Sequence, residues 1–166
     1  MTTRRWVALP VLVVAAHSVW AQSPSIHQRP IDASATITGS PRLRDGQFTL
    51  AGKAAICGVI PKEASLTGEA TFVIEVAGDT AGSMTSITFG SRQLVGAVTT
   101  ATQFNLSVGM VPGNGGRPPE FVLNTNSARP GNAGTASLNV AKGVTTLKVV
   151  GGNDANERIE LNATCR

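Results

Sequence analysis

Apolar and polar residues alternate along most of this chain with a period of two, the spacing that sets successive side chains on opposite faces of a β-strand. The clearest run is TQFNLSVGM, where Phe104, Leu106, Val108 and Met110 alternate with Gln103, Asn105 and Ser107. One face of such a strand is buried and the other wet, which is the pattern of an antiparallel sheet. ATFVIEV puts Phe72, Ile74 and Val76 on one face against Thr71 and Glu75, and ASATIT alternates through Ala33, Ala35 and Ile37. QFTLAG, KAAICGVI, MTSITFG, FVLN, TASLNV, VTTLKVV and RIELNATC continue the series. Between them stand GSPRLRDG, GDTAG, VPGNGGRPPE, NSARPGNAG, AKG and GGNDANE, all rich in the residues that form turns.

No segment carries a convincing helical period. AVTTATQ is too rich in threonine, and PKEASLTGEA has room for a single turn. Strands separated by frequent turn signals predict an all-β fold, an antiparallel β-sandwich or open barrel of about seven to nine strands. One domain is expected over 33–166, preceded by an extended leader at 22–32 in which QSPSIHQRPI shows little periodicity.

The first residues have a different character. Arg4 and Arg5 precede an apolar run from Trp6 to Ala16, and Val19 and Ala21 stand at the −3 and −1 positions before Gln22. This is the layout of a secretory signal peptide over 1–21, and His17, Ser18 and Gln22 interrupt the apolar run too early for a membrane span. No cysteine lies near the cleavage site to take a lipid, so the expected product is periplasmic or secreted, without a membrane anchor. Both tryptophans leave with this segment, and the 14 Lys and Arg become 12 against 10 Asp and Glu. So slight a positive balance, with scattered cations and no Trp or Tyr to stack on bases, argues against nucleic acid as a partner.

In an exported chain two cysteines predict a disulfide between Cys57 and Cys165. Ile159, Leu161, Ala163 and Cys165 share one strand parity, which turns Cys165 inward. Closing so long a loop contributes roughly 4–5 kcal/mol in the chain-entropy account. The competing readings are a metal site or a reactive thiol. The first lacks nearby histidines and the second lacks a CxxC pattern.

Little else suggests chemistry. After cleavage His27 is the only histidine, and it lies in the leader, where no fold holds it as a general base. There is no G-x-S-x-G elbow. Glu157 and Glu160 are spaced by three, which on a strand sends them to opposite faces. Asp154 and Asn156 offer oxygen ligands at a spacing calcium could use, but the further carboxylates of a calcium loop are missing and Gly-Asn-Asp clusters are ordinary turn chemistry. The glycines of PGNGGR lack the ending and helix of a phosphate cradle. No cofactor or metal is expected. The conspicuous loop after Met110 is the candidate binding surface, with Asn114, Arg117, Pro118, Pro119 and Glu120, against the plainer reading of a connector.

Three stretches carry a resemblance. Cys57 stands in GKAAICG, the chain finishes RIELNATCR, and the strand pair TASLNVAKGVTTLKVVGG precedes that ending. This layout resembles the mycobacterial nineteen-kilodalton lipoprotein antigens and their relatives. Those are small exported β proteins with one cysteine early in the domain and another almost at the terminus. The resemblance covers most of 33–166 in pattern and is specific only at the two cysteine contexts. The chain departs from it by lacking the acylated cysteine, which sets aside membrane attachment and recognition that depends on lipid. It implies a non-enzymatic envelope protein with Cys57 and Cys165 as the bridge.

The functional expectation is an exported, non-catalytic binding or structural module, whose partner is another envelope or host protein or a small ligand. One alternative is an adhesin or fibre subunit assembling by strand exchange, with 22–38 as the donor. The other is an enzyme whose residues, such as Asp79, Arg92 and Asp154, are assembled only by the fold.

Overall fold

A computed structural model describes residues 28–40, 45–78, 80–112, 119–127 and 129–166. Apart from a single 3-10 turn at Lys62–Ala64, its regular structure is β, in twelve strands. In chain order they are β1 (Arg29–Thr38), β2 (Gly46–Ala54), β3 (Ile56–Ile60), β4 (Thr71–Val76), β5 (Ala81–Gly82) and β6 (Met84–Ser91). There follow β7 (Thr100–Ala101), β8 (Asn105–Met110), β9 (Glu120–Asn124), β10 (Ala133–Ala141), β11 (Val144–Gly152) and β12 (Arg158–Cys165). A seven-stranded sheet runs β5-β2-β1-β12-β11-β10-β7 and a five-stranded sheet runs β3-β4-β6-β8-β9, antiparallel throughout. This is the expected sandwich.

The strand number exceeds the expected seven to nine because the chain changes sheets at corners. A bend at Ala55 splits the continuous run QFTLAGKAAICGVI into β2 of one sheet and β3 of the other. Ala81 and Gly82, read as turn residues, pair with Leu50 and Ala51 before β6 enters the opposite sheet. Gly82 has φ 115°, and a Cβ there would lie 2.2 Å from the Thr49 carbonyl oxygen, so only glycine fits this corner. The domain also starts earlier than position 33. Arg29–Asp32, assigned above to the leader, already belong to β1, with Ile31 opposite Cys165 and Gly52. β1 is a central strand with neighbours from its own chain on both sides.

The two sheets cross steeply. β3 lies over the Cys165 end of β12 through the disulfide, whereas β9 reaches the other end, where the Asn153 amide donates to the Val122 carbonyl at 3.1 Å. The strands of one sheet therefore step along the strands of the other, as in orthogonal sandwiches. The core follows the parity of the sequence. Phe104, Leu106, Val108 and Met110 are all buried, as are Ile159, Leu161, Ala163 and Cys165. The five-stranded side supplies the phenyl rings of Phe72, Phe89, Phe104 and Phe121. The seven-stranded side answers with Ala33, Ala35, Ala136 and Ala163, whose small side chains leave room for them.

Candidate functional site

The β11–β12 turn builds the wall of a cleft. Asn153 Oδ1 accepts from the backbone amides of Ala155 and Glu157 at 3.1 Å each, which folds the turn over its own first residue. Asn153 Nδ2 donates to Glu157 Oε2 at 2.7 Å as well as to Val122, tying the turn to the other sheet. The Glu157 carboxylate is buried and takes the Ser40 hydroxyl at 2.6 Å on its second oxygen. Its role is therefore to hold the end of β1 beside the turn.

Outside this wall the outward-facing residues of four strands fall into register. One row is Thr38, Arg158, Gly152 and Ala133, and the next is Thr36, Glu160, Val150 and Thr135. A cleft of about 700 Å³ opens over all of these but Thr135, bounded by Asn153, Asn156 and Gly131. Its floor is thin because β10 and β11 meet at glycines. A Cβ on Gly151 would stand 2.6 Å from Leu123 Cδ2 and 2.7 Å from the Ala133 carbonyl oxygen.

The charges in the cleft are not equivalent. Glu160 is neutralised by Lys148 at 2.8 Å, and Glu157 is spent inside the wall. Arg158 is exposed and has neither an ion pair nor a side-chain hydrogen bond among the described residues. In the strand register it stands between Thr38 and Gly152. Its Cγ would lie 3.8 Å from a Cβ on Gly152, so the missing side chain there leaves Arg158 room to lie across β11. Such a fork beside threonine hydroxyls suits a carboxylate or phosphate whose carrier also presents hydroxyl groups.

The structure separates the other candidates. Cys57 and Cys165 form the predicted disulfide, with Cα atoms 6.6 Å apart, at the far end of β12 from the cleft. Asn114, Arg117 and Pro118 lie outside the described residues, as do His27 and Asp79. Pro119 accepts the Met110 amide at 3.0 Å and Glu120 accepts the Ser107 hydroxyl, both on the five-stranded sheet and neither lining the cleft. Arg92 pairs with Glu69 at 2.6 Å, beside a groove of about 470 Å³ that includes Ile60, Leu66 and Val73. Asp154 instead faces Arg129 at 3.9 Å, so Arg92 and Asp154 take different partners on different sheets. Among the described residues no three of His, Cys, Asp and Glu come together as metal ligands. Sequence reasoning missed Thr36, Thr38 and Arg158. Their outward parity was visible, but not that the first and last long strands are neighbours.

The wall supports a direct test. Asn153→Ala removes four hydrogen bonds and leaves the Glu157 carboxylate, 3 % exposed, with one partner fewer. Urea unfolding should show a loss of about 3 kcal/mol. A loss under about 0.5 kcal/mol would mean that backbone bonds alone hold the turn.

No family model matches the chain, and neither a curated protein nor a solved structure is significantly similar to it.

Proposed function

We propose that this protein is an exported, non-catalytic binding module that holds an acidic, hydroxyl-bearing ligand in the cleft of its seven-stranded sheet. The observation that carries the reading is the exposed Arg158, without an ion pair among the described residues, in register between Thr38 and Gly152 and lining a cleft of about 700 Å³. A guanidinium exposed beside hydroxyls can grip a carboxylate by two parallel hydrogen bonds while the threonines take sugar or polyol hydroxyls. Both carboxylates lining the cleft are already engaged, Glu157 by Asn153 and Ser40 and Glu160 by Lys148, which supports grip over chemistry. Export rests on the leading residues 1–21, and the disulfide is compatible with an oxidising compartment.

Calorimetric titration with glucuronate, glucose and inorganic phosphate tests it. Glucuronate is expected to bind and glucose to bind far more weakly, since the charge-assisted contact is missing. Arg158→Ala should weaken glucuronate about ten- to hundredfold, with Arg158→Lys in between, and leave the unfolding free energy within about 0.5 kcal/mol. Equal binding of glucose and glucuronate, or no response to Arg158→Ala, would remove the basis of this reading.

A further inference from the structure

At the opposite end of the sandwich one side chain gathers several chain segments around the disulfide. Arg29 Nη1 donates to the Cys57 carbonyl at 3.2 Å and to Thr145 Oγ1 at 3.4 Å. Its Nη2 donates to the Cys165 carbonyl at 3.4 Å and to the Gly143 carbonyl, and Nε lies 3.5 Å from the Arg166 carbonyl oxygen. One planar group thus holds the backbone of both cysteines, together with the β10–β11 turn. The planar fork suits this role because its donors diverge at fixed angles.

Sheet topology gives this arrangement its significance. β3 is an edge strand whose ladder joins it to β4 alone, while β12 lies at the middle of the other sheet between β1 and β11. No ladder connects Cys57 to Cys165, which are 108 positions apart in sequence. The disulfide and the Arg29 fork therefore make the same connection, one by a covalent bond and one by hydrogen bonds. Two restraints on one geometry are coupled, and the coupling is reciprocal: whatever the bond does for the fork, the fork does for the bond.

We infer that Arg29 is a positioning residue for the disulfide, holding the two cysteines together in the reduced protein so that the bond closes at a high effective thiol concentration. The balanced reaction with glutathione disulfide as oxidant consumes the two thiols and one glutathione disulfide, and yields the protein disulfide and two molecules of glutathione. Two electrons pass from the cysteine sulfurs to the glutathione sulfurs, and both thiol protons end on glutathione.

The experiment equilibrates the protein in reduced and oxidised glutathione and reads the oxidised fraction by thiol alkylation and mass spectrometry. Arg29→Gln is expected to lower the effective thiol concentration about tenfold. Arg29→Lys should fall between, since a compact ammonium cannot span both carbonyls. Arg166→Gln is the control, because Arg166 pairs with Asp32 at the same end and its side chain touches neither cysteine. It should leave the equilibrium unchanged. A second measurement separates positioning from general support of the fold. In the Cys57→Ala/Cys165→Ala background, Arg29→Gln should shift the unfolding equilibrium about tenfold less than it does with the bond present. Equal redox equilibria in the parent and both Arg29 variants, or equal unfolding costs in the two backgrounds, would overturn the inference. If Arg29→Gln does not fold when reduced, the parent–Lys comparison decides in the same way.

Discussion

Replacing both cysteines, as Cys57→Ala/Cys165→Ala, is expected to lower Tm by about 10 °C or more. The bond joins positions 108 apart, and without it the unfolded chain recovers roughly 4–5 kcal/mol of conformational freedom in the chain-entropy account. For a domain of this size each kcal/mol moves Tm by about 2–4 °C. Alanine is the informative replacement. Cys165 is fully buried, and serine there would add the separate cost of an unpaired hydroxyl. The effect should also be uneven. β3 is an edge strand that loses its bond to β12, so amide exchange is expected to speed up over Ile56–Ile60 before it does in β1 or β11. Scanning calorimetry and exchange mass spectrometry check both parts. A Tm change below about 3 °C would mean that the reduced chain stays closed by other contacts.

Phe89→Ala is the single substitution in the core expected to cost most, about 3–5 kcal/mol. Phe89 is fully buried on β6, the middle strand of its sheet. Its ring meets Phe72 edge-on at 6.2 Å between centroids and 63° between planes, and meets Phe104 at 5.6 Å and 31°. On the strand ladder it stands between Ile74 and Leu106. Truncation would leave a void walled by other buried side chains, and the crossing sheets cannot collapse into it without shifting several strands. Phe89→Leu should retain most of the stability, because it keeps volume and loses mainly the ring contacts. Phe48→Ala provides the contrast, since Phe48 is only partly buried on β2, and should cost about half as much or less. Urea unfolding with an unchanged m-value would show that these are losses in the folded state. A similar cost for Phe48→Ala and Phe89→Ala would contradict the central place given to the Phe72–Phe89–Phe104 cluster.

Much of the fold was legible because burial in a strand depends on parity, which is local. The alternation at Phe104–Met110 and Ile159–Cys165 named buried residues correctly, and the inward parity of Cys165 made the disulfide readable. Strand parity does not apply to Glu157 and Glu160 as the sequence suggested, because Glu157 lies in the turn before β12 and both line the cleft. What separates them is that Glu157 is buried against Asn153 and Ser40 while Glu160 pairs with Lys148. The start of β1 was hidden by Pro30 and by the polar residues around it. Proline is tolerated near the beginning of a strand, and Arg166 donates to the Pro30 carbonyl at 2.9 Å. The two-residue strands β5 and β7 carry no pattern of their own. They exist only because β2 and β10 present edges to them.

The candidate site was less legible for the same reason. Thr36 and Thr38 are read as outward residues of one strand and Arg158 as an outward residue of another. That they form a single surface depends on β1 pairing with β12, and the bareness of that surface depends on Gly152 arriving from β11. Arg29 was equally ordinary in the sequence, a charged residue beside a proline in the presumed leader.

What the sequence by itself determined was the β class, the inward and outward faces of the long strands, and the partner of each cysteine. All of these follow from the period-two geometry of a strand and from the presence of only two cysteines. Only the tertiary structure decided the order of strands in the two sheets, their steep crossing, the cleft around Arg158 and the Arg29 fork around the disulfide. Those features join residues more than a hundred positions apart. Many pairings satisfy the same local alternation, and the one adopted is selected by how phenyl rings, alanines and glycines pack across the whole core.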